Sequence, residues 1–262
     1  ANNDDLSAFA DFAPGPTFAA LVDLVGSGDL FDSILSSLYR VGVGLIWGFA
    51  IGVPIGILIG YLTIAMRVAN VPFQFLRMIS PLAWMPIAVL AFETWDSAII
   101  FLIVMATVWP IMFSTSHGVK RIDPDWFKVA RNLGASSTQM VRTIILPAIM
   151  ADVMAGVRLA VGVAWVVLVP AEYLGVTSGL GYAINDARDT LAYDTLAAIV
   201  LIIGVIGYTL DSVCARLVIR FNWHQEAIRS SDGSHPGVKK KEAAAYSLLR
   251  PSPLVVPRIA SL

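Results

Sequence analysis

Ionisable residues stand inside otherwise apolar stretches of this chain, Arg40, Arg158, Glu172 and Asp211 among them. Charges at such positions are costly in an apolar setting and mark either a solute path or an internal ion pair. Arg40 stands about two turns into its stretch, where it either attracts an anion or snorkels to an interface. Arg158 lies about three turns into another. It faces a path as a cation or pairs with Asp152. Glu172, just past Pro170, suits a gate or a solvated loop. Asp211 stands within a turn or so of Arg216, and an internal ion pair is the simplest expectation there. Catalytic chemistry finds no support. His117, His224 and His235 are scattered without metal-ligand spacing. No Gly-x4-Gly-Lys-Ser/Thr phosphate loop exists, since Gly233 and Gly237 are wrongly spaced and lack the hydroxyl. No nucleophile–base pair stands out, and neither a metal nor a cofactor is expected. The single cysteine, Cys214, excludes an intrachain disulfide.

The elements that position these residues are membrane helices. Of 262 residues 57% are hydrophobic and 14% charged, against about 25% charged in a soluble domain. Mean hydropathy is +0.74. The net charge of −1 gives no polybasic signature for nucleic acid. A bilayer core needs about 20 mainly apolar residues per helix, and five stretches qualify: Ile34–Tyr61, Val68–Phe92, Ser97–His117, Pro147–Val169 and Tyr193–Leu217. Basic residues set the orientation. Residues 1–33 carry Asp4, Asp5, Asp11, Asp23, Asp29 and Asp32 with no Lys or Arg, which places them outside. Loop 118–146 carries Lys120, Arg121, Lys128, Arg131 and Arg142, which places it in the cytoplasm. The tail after 217 is also basic and falls inside. The chain begins with alanine, and its first 33 residues hold no long apolar run, so no signal peptide is visible.

Two spans carry internal patterns. Gly44, Gly48, Gly52, Gly56 and Gly60 recur every four residues along one face of the first. Small residues let membrane helices approach closely, so this face predicts close packing against a neighbour that the spacing does not identify. The second span contains Ser80-Pro81-Leu82-Ala83-Trp84-Met85-Pro86. Two prolines remove two backbone donors and bend a helix. Freed carbonyls at membrane depth need protein or water beside them, so Trp84 and Pro86 are candidates to line an internal path. A buried structural kink is the alternative.

The long polar loop is ordered by its own signals. Asp123-Pro124 starts a helix, with Asp as cap and Pro in the first turn. Leu133-Gly134 ends it, glycine being able to take positive φ. Ser136 and Gln139 have capping-box spacing for a second short helix, and Pro147 suits the first turn of the next span. Together they predict a stiff helix–Gly–helix knob presenting Ala130 and Ala135.

Lys128-Val129-Ala130-Arg131-Asn132-Leu133-Gly134, then nine residues, then Ile144-Ile145-Leu146-Pro147, resembles the cytoplasmic "EAA" loop of bacterial ABC-importer permeases. That loop reads Glu-Ala-Ala, three residues, Gly, nine residues, Ile-x-Leu-Pro. Lys128 and Val129 depart from its first two positions, so no role of the glutamate carries over. Over about residues 31–226 the chain resembles the nitrate/taurine/alkanesulfonate/bicarbonate branch. The matching strings are Ser37-Leu38-Tyr39-Arg40, Ser80 to Pro86, Gly156-Val157-Arg158, and Ala171-Glu172 followed by Gly179-Leu180-Gly181.

The resemblance implies an all-α polytopic bundle of the type I ABC-importer (MetI-like) permease fold. It also implies a bacterial inner-membrane location, a homodimer, cytoplasmic ATP-binding cassette subunits, an external substrate-binding protein, and one further helix upstream of residue 1. Implied coupling residues are Asp125, Lys128, Ala130, Arg131, Gly134, Ala135 and Pro147. The charges and prolines noted above give the candidate path residues Arg40, Trp84, Pro86, Arg158 and Glu172. The expected organisation is an external segment 1–33, a transmembrane domain 34–217 and a cytoplasmic tail 218–262, partly mobile. The expected function is ATP-driven import of a small anion with hydrolysis on partner chains. An ATP-independent carrier or channel, and a non-transporting scaffold, remain as alternatives.

Overall fold

The computed structural model describes residues 14–28 and 30–232. Asp4, Asp5, Asp11, Asp29 and the tail from 233 lie outside the described residues. The chain divides into two units, Ala1–Ile219 and Arg220–Leu262. The second is described only as far as the end of its helix, at Asp232.

Among the described residues all regular structure is helical. Helix α1 is Pro14–Ser27, α2 Phe31–Tyr61 and α3 Thr63–Met78. A 3-10 turn, Pro81–Trp84, leads into α4, Met85–Ala91. Then come α5 Trp95–Lys120, α6 Pro124–Asn132 and α7 Ser137–Met140. A π-helical turn, Val141–Ile145, joins α7 to α8, Leu146–Gly175. Helices α9, Leu180–Asp189, and α10, Tyr193–Asp232, complete the set. Among the described residues four helices are long and apolar enough to cross a membrane, and a fifth span results if the pair Val71–Met78 and Pro81–Ala91 counts as one. That pair is bent by 86°. The expected kink is therefore a full break, placed at Ile79-Ser80 just before Pro81. Proline disfavours the helical region for the residue it follows, and Ser80 is extended (φ −57°, ψ 131°).

Helix α5 is the centre of the first unit. Ile99, Leu102, Ile103 and Ile111 are fully buried along it, packed between α2 and α8. The glycine face of α2 meets this helix. A methyl group at Gly56 would lie 2.6 Å from the Met112 carbonyl oxygen and 2.7 Å from Thr115 Cβ. One at Gly60 would lie 2.6 Å from Val119 Cβ. Only hydrogen at Cα allows that approach. In lipid such packing is a main source of helix association, because no hydrophobic effect operates between helices. Thr107 and Thr115 sit in the same interface, and each returns its hydroxyl to its own helix, donating to Ile103 and Ile111 carbonyls. The neighbour left open by the sequence is thus the third apolar span.

The loop after the fourth span is more structured than expected. Helix α8 runs on to Gly175, and α9 occupies most of the stretch between it and α10.

Candidate functional site

Helix α6 begins as its sequence requires. Asp123 is extended (φ −60°, ψ 126°) and its carboxylate accepts from Asp125 N–H at 2.9 Å. Gly134 adopts φ +77°. Its N–H donates to the Arg131 carbonyl, and Ala135 N–H donates to the Ala130 carbonyl, both at 3.0 Å. These bonds close the helix end and fix the angle to α7. Ser136 accepts from Gln139 N–H at 3.3 Å, and the Gln139 side chain accepts from Ser136 N–H at 2.8 Å. This is the predicted capping box, met in both directions.

Two features differ from expectation. First, Ala130 is buried and Ala135 half-buried, both within an apolar cluster with Met140, Ile145 and Ile149. Alanine is small enough to let α6 lie close to the bundle, so these residues set the depth of the loop rather than being presented. The exposed apolar side chains are Trp126, Val129 and Leu133, at 63%, 58% and 82% exposure. Their i, i+3, i+7 spacing forms one ridge. The same three side chains line an open groove of about 890 Å³, together with Gly134, Met140 and Ile144. Second, α7 is not a separate short helix. It passes through the π turn into α8 without a break, giving one helical rod from Ser137 to Gly175. Pro147 lies just past the wide turn. Its ring has no N–H to give and would crowd the carbonyl four residues back in a regular helix.

The remaining loop residues tie α6 to the bundle or face outward. Arg131 Nη2 donates to the Tyr61 hydroxyl at 2.6 Å, and Tyr61 meets Phe127 edge-on with ring centroids 5.5 Å apart. The foot of α2 is thereby clamped to α6. Lys128 Nζ pairs with Asp125 at 2.7 Å, and both are exposed.

The opposite end of the bundle holds a buried charge cluster. Arg40 is 2% exposed. It donates through Nη1 to Glu172 at 2.5 Å, through Nε to Asp96 at 2.8 Å, and to the Ser178 hydroxyl at 2.7 Å. Glu172, fully buried, also accepts from the Ser37 hydroxyl and from Gly181 N–H. Ser37 Oγ accepts in turn from Leu180 N–H at 2.9 Å. Gly179 has φ +110°, and a side chain there would strike the Glu172 carboxylate. Hence the Gly-Leu-Gly string folds over Glu172. Buried charge is tolerated because every donor and acceptor is met, and no buried polar side-chain atom is left unsatisfied among the described residues. Arg40 is therefore not snorkelling. The sequence flagged Arg40 and Glu172 separately and missed Ser37, Asp96 and Ser178 as their partners.

Arg158 pairs neither with Asp152 nor with solvent alone. Its Nε and Nη2 donate to the two Asp211 oxygens at 3.0 and 2.9 Å. Asp152 is held by Arg121 at 3.1 Å. Asp211 consequently bridges to α8 instead of pairing along its own helix with Arg216. Trp84 is half-buried and packs on the cluster around Ile99 and Leu102. Pro86 is exposed in the first turn of α4.

Residues 52–222 match the family described as "Binding-protein-dependent transport system inner membrane component". The chain belongs to this family. Its curated relatives include the bicarbonate transport system permease protein CmpB of Synechococcus elongatus, 37% identical over 72% of this chain and 68% of that protein. They include the nitrate import permease protein NrtB of Leptolyngbya laminosa, 34% identical over 74% and 71%. The aliphatic sulfonates transport permease SsuC of Bacillus subtilis, described as putative, is 34% identical over 78% and 74%. Among solved structures, a chain of the MetNI methionine ABC transporter in inward-facing form aligns with a TM-score of 0.57. It is 18% identical and covers 73% of this chain and 95% of that one, which shows the MetI-like permease fold. The permease is thus a membrane-spanning transport subunit, in which the loop with Gly134 and the cluster around Glu172 stand at opposite ends of the same helices.

Proposed function

We propose that this permease imports a small oxyanion of the bicarbonate, nitrate or sulfonate type, driven by ATP hydrolysis on partner chains. The relatives' names supply the substrate class. The observation that carries the coupling role is the exposed ridge of Trp126, Val129 and Leu133 on a helix fixed at both ends. A large apolar ridge on a polar loop marks a protein-binding surface. In this account it faces cytoplasmic ATP-binding cassette subunits, in keeping with the basic character of loop 118–146.

Two connections would carry motion inward. The continuous rod from α7 to α8 turns any displacement of the docked loop into tilt of α8. The Tyr61 clamp passes the same displacement to α2. At the outer end, Arg40 and Glu172 hold α2, α5, α8 and α9 as one block, closing that end rather than trapping an anion. Both charges are already neutralised there. Substrate handed over by an external binding protein would cross beside the broken second span, past Trp84 and Pro86, between two copies of the permease. Helix rocking about such a site is alternating access.

A cysteine at Val129, in a Cys214→Ser background, tests the docking. Short-span cross-linking in the assembled complex should join it to an ATPase subunit. An assembled complex with no such cross-link, and an unaltered reactivity of that cysteine on adding the ATPases, would refute it.

A further inference from the structure

The Arg158–Asp211 pair has no place in the loop or in the outer cluster. Arg158 is twelve residues from Leu146 and seventeen from Gly175, so its Cα lies about 18 and 25 Å from the two ends of α8. It stands six residues, about 9 Å along α8, inward of Asp152, which pairs with exposed Arg121 of loop 118–146. Yet the two side chains are 46% and 48% exposed. An ion pair within an apolar span and this open suits a water-filled space better than lipid. The surroundings leave room beside it. Added methyl groups at Gly162 on α8 and Gly204 on α10 would meet nothing within 4 Å. Tyr208, one turn from Asp211, is 76% exposed.

The geometry also leaves a binding edge. Asp211 takes Nε and one N–H of Nη2, whereas Nη1 donates to no described residue. The outer Nη1/Nη2 edge of a guanidinium offers two parallel N–H groups, which match two oxygens of a planar or tetrahedral oxyanion. We propose that this free edge of Arg158 is a weak oxyanion-binding step within the membrane-spanning part of α8, and that Asp211 orients the guanidinium and keeps the hold weak. A bare cation would trap the anion, whereas a paired one lets it enter and leave. This rests on the importer reading above, to which it adds a residue and a reason for rapid release.

Cys214, the chain's single cysteine, lies one turn from Asp211 and is partly exposed. It serves as a native reporter in the full complex with its ATPases in lipid nanodiscs. Water-borne methanethiosulfonate reagents of opposite charge should both modify it, and nitrate should slow the reaction. The ratio of anionic to cationic rates cancels the thiol's own ionisation. It should rise roughly tenfold in Asp211→Asn and fall roughly tenfold in Arg158→Gln, the effect of one nearby charge in partly screened surroundings. Arg158→Lys should keep the ratio but lose the nitrate protection, since lysine lacks the fork. Modification only by a membrane-permeant maleimide would overturn the proposal, as would equal ratios in all variants. ATP-driven uptake in the same preparation reports separately on the importer reading.

Discussion

Glu172 shows how much one buried acid can organise. It is fully enclosed, yet it accepts from Ser37, Arg40 and the Gly181 backbone and so joins three helices, α2, α8 and α9. Removing Glu172 leaves buried Arg40 with the largely exposed Asp96 as its one remaining carboxylate partner. Glu172→Gln should cost about 3–5 kcal/mol, read as a lower unfolding temperature of the detergent-solubilised complex. Replacing both members, Arg40→Met with Glu172→Met, should cost less than Glu172→Gln alone, because no buried charge is then orphaned. A double variant less stable than the single one would show the cluster to hold by more than charge pairing. The sequence made both residues visible as charges in apolar stretches. Their contact was not visible, because they stand 132 positions apart and no periodicity links them. The same holds for Arg158 and Asp211, 53 positions apart, where nearer partners in sequence looked better than the real ones.

At the scale of elements, local signals were legible and long-range ones were not. Caps at Asp123 and Ser136 and the turn at Gly134 are written in neighbouring residues, and all three formed as read. The burial of Ala130 depends on what α6 packs against, which spacing does not carry. The merging of α7 with α8 depends on a π turn that no periodicity announced. The glycine face of α2 foretold a close neighbour but not which one. Two expectations arise from these packings. Gly56→Leu should destabilise the complex by about 1–3 kcal/mol through overpacking against Met112 and Thr115. Gly42→Leu, where an added Cβ meets nothing within 4 Å, should change stability by less than about 0.5 kcal/mol. Equal losses at both positions would contradict the assignment of the face. Tyr61→Phe removes the hydroxyl bonded to Arg131 and keeps the ring against Phe127. It should leave assembly intact and lower transport-coupled ATP hydrolysis a few-fold, measured in the reconstituted complex. An unchanged coupling ratio would remove the clamp from the mechanism.

For the whole molecule, the central claim is a division of labour. In the function proposed above, this chain supplies membrane helices and a docking ridge, while partner chains supply energy and first contact with the substrate. The apolar spans and their order were legible because lipid imposes length and composition on every crossing helix. The 86° break in the second span was legible only as a bend. The most direct measurement is uptake of labelled bicarbonate, nitrate and a short sulfonate into proteoliposomes holding this permease, with its ATPase subunits and binding protein added in turn. The account predicts uptake of one of these anions only when all components and ATP are present, and its loss when Trp126, Val129 and Leu133 are together replaced by serine. Uptake by the permease alone, or undiminished ATP-driven uptake in that triple variant, would contradict it.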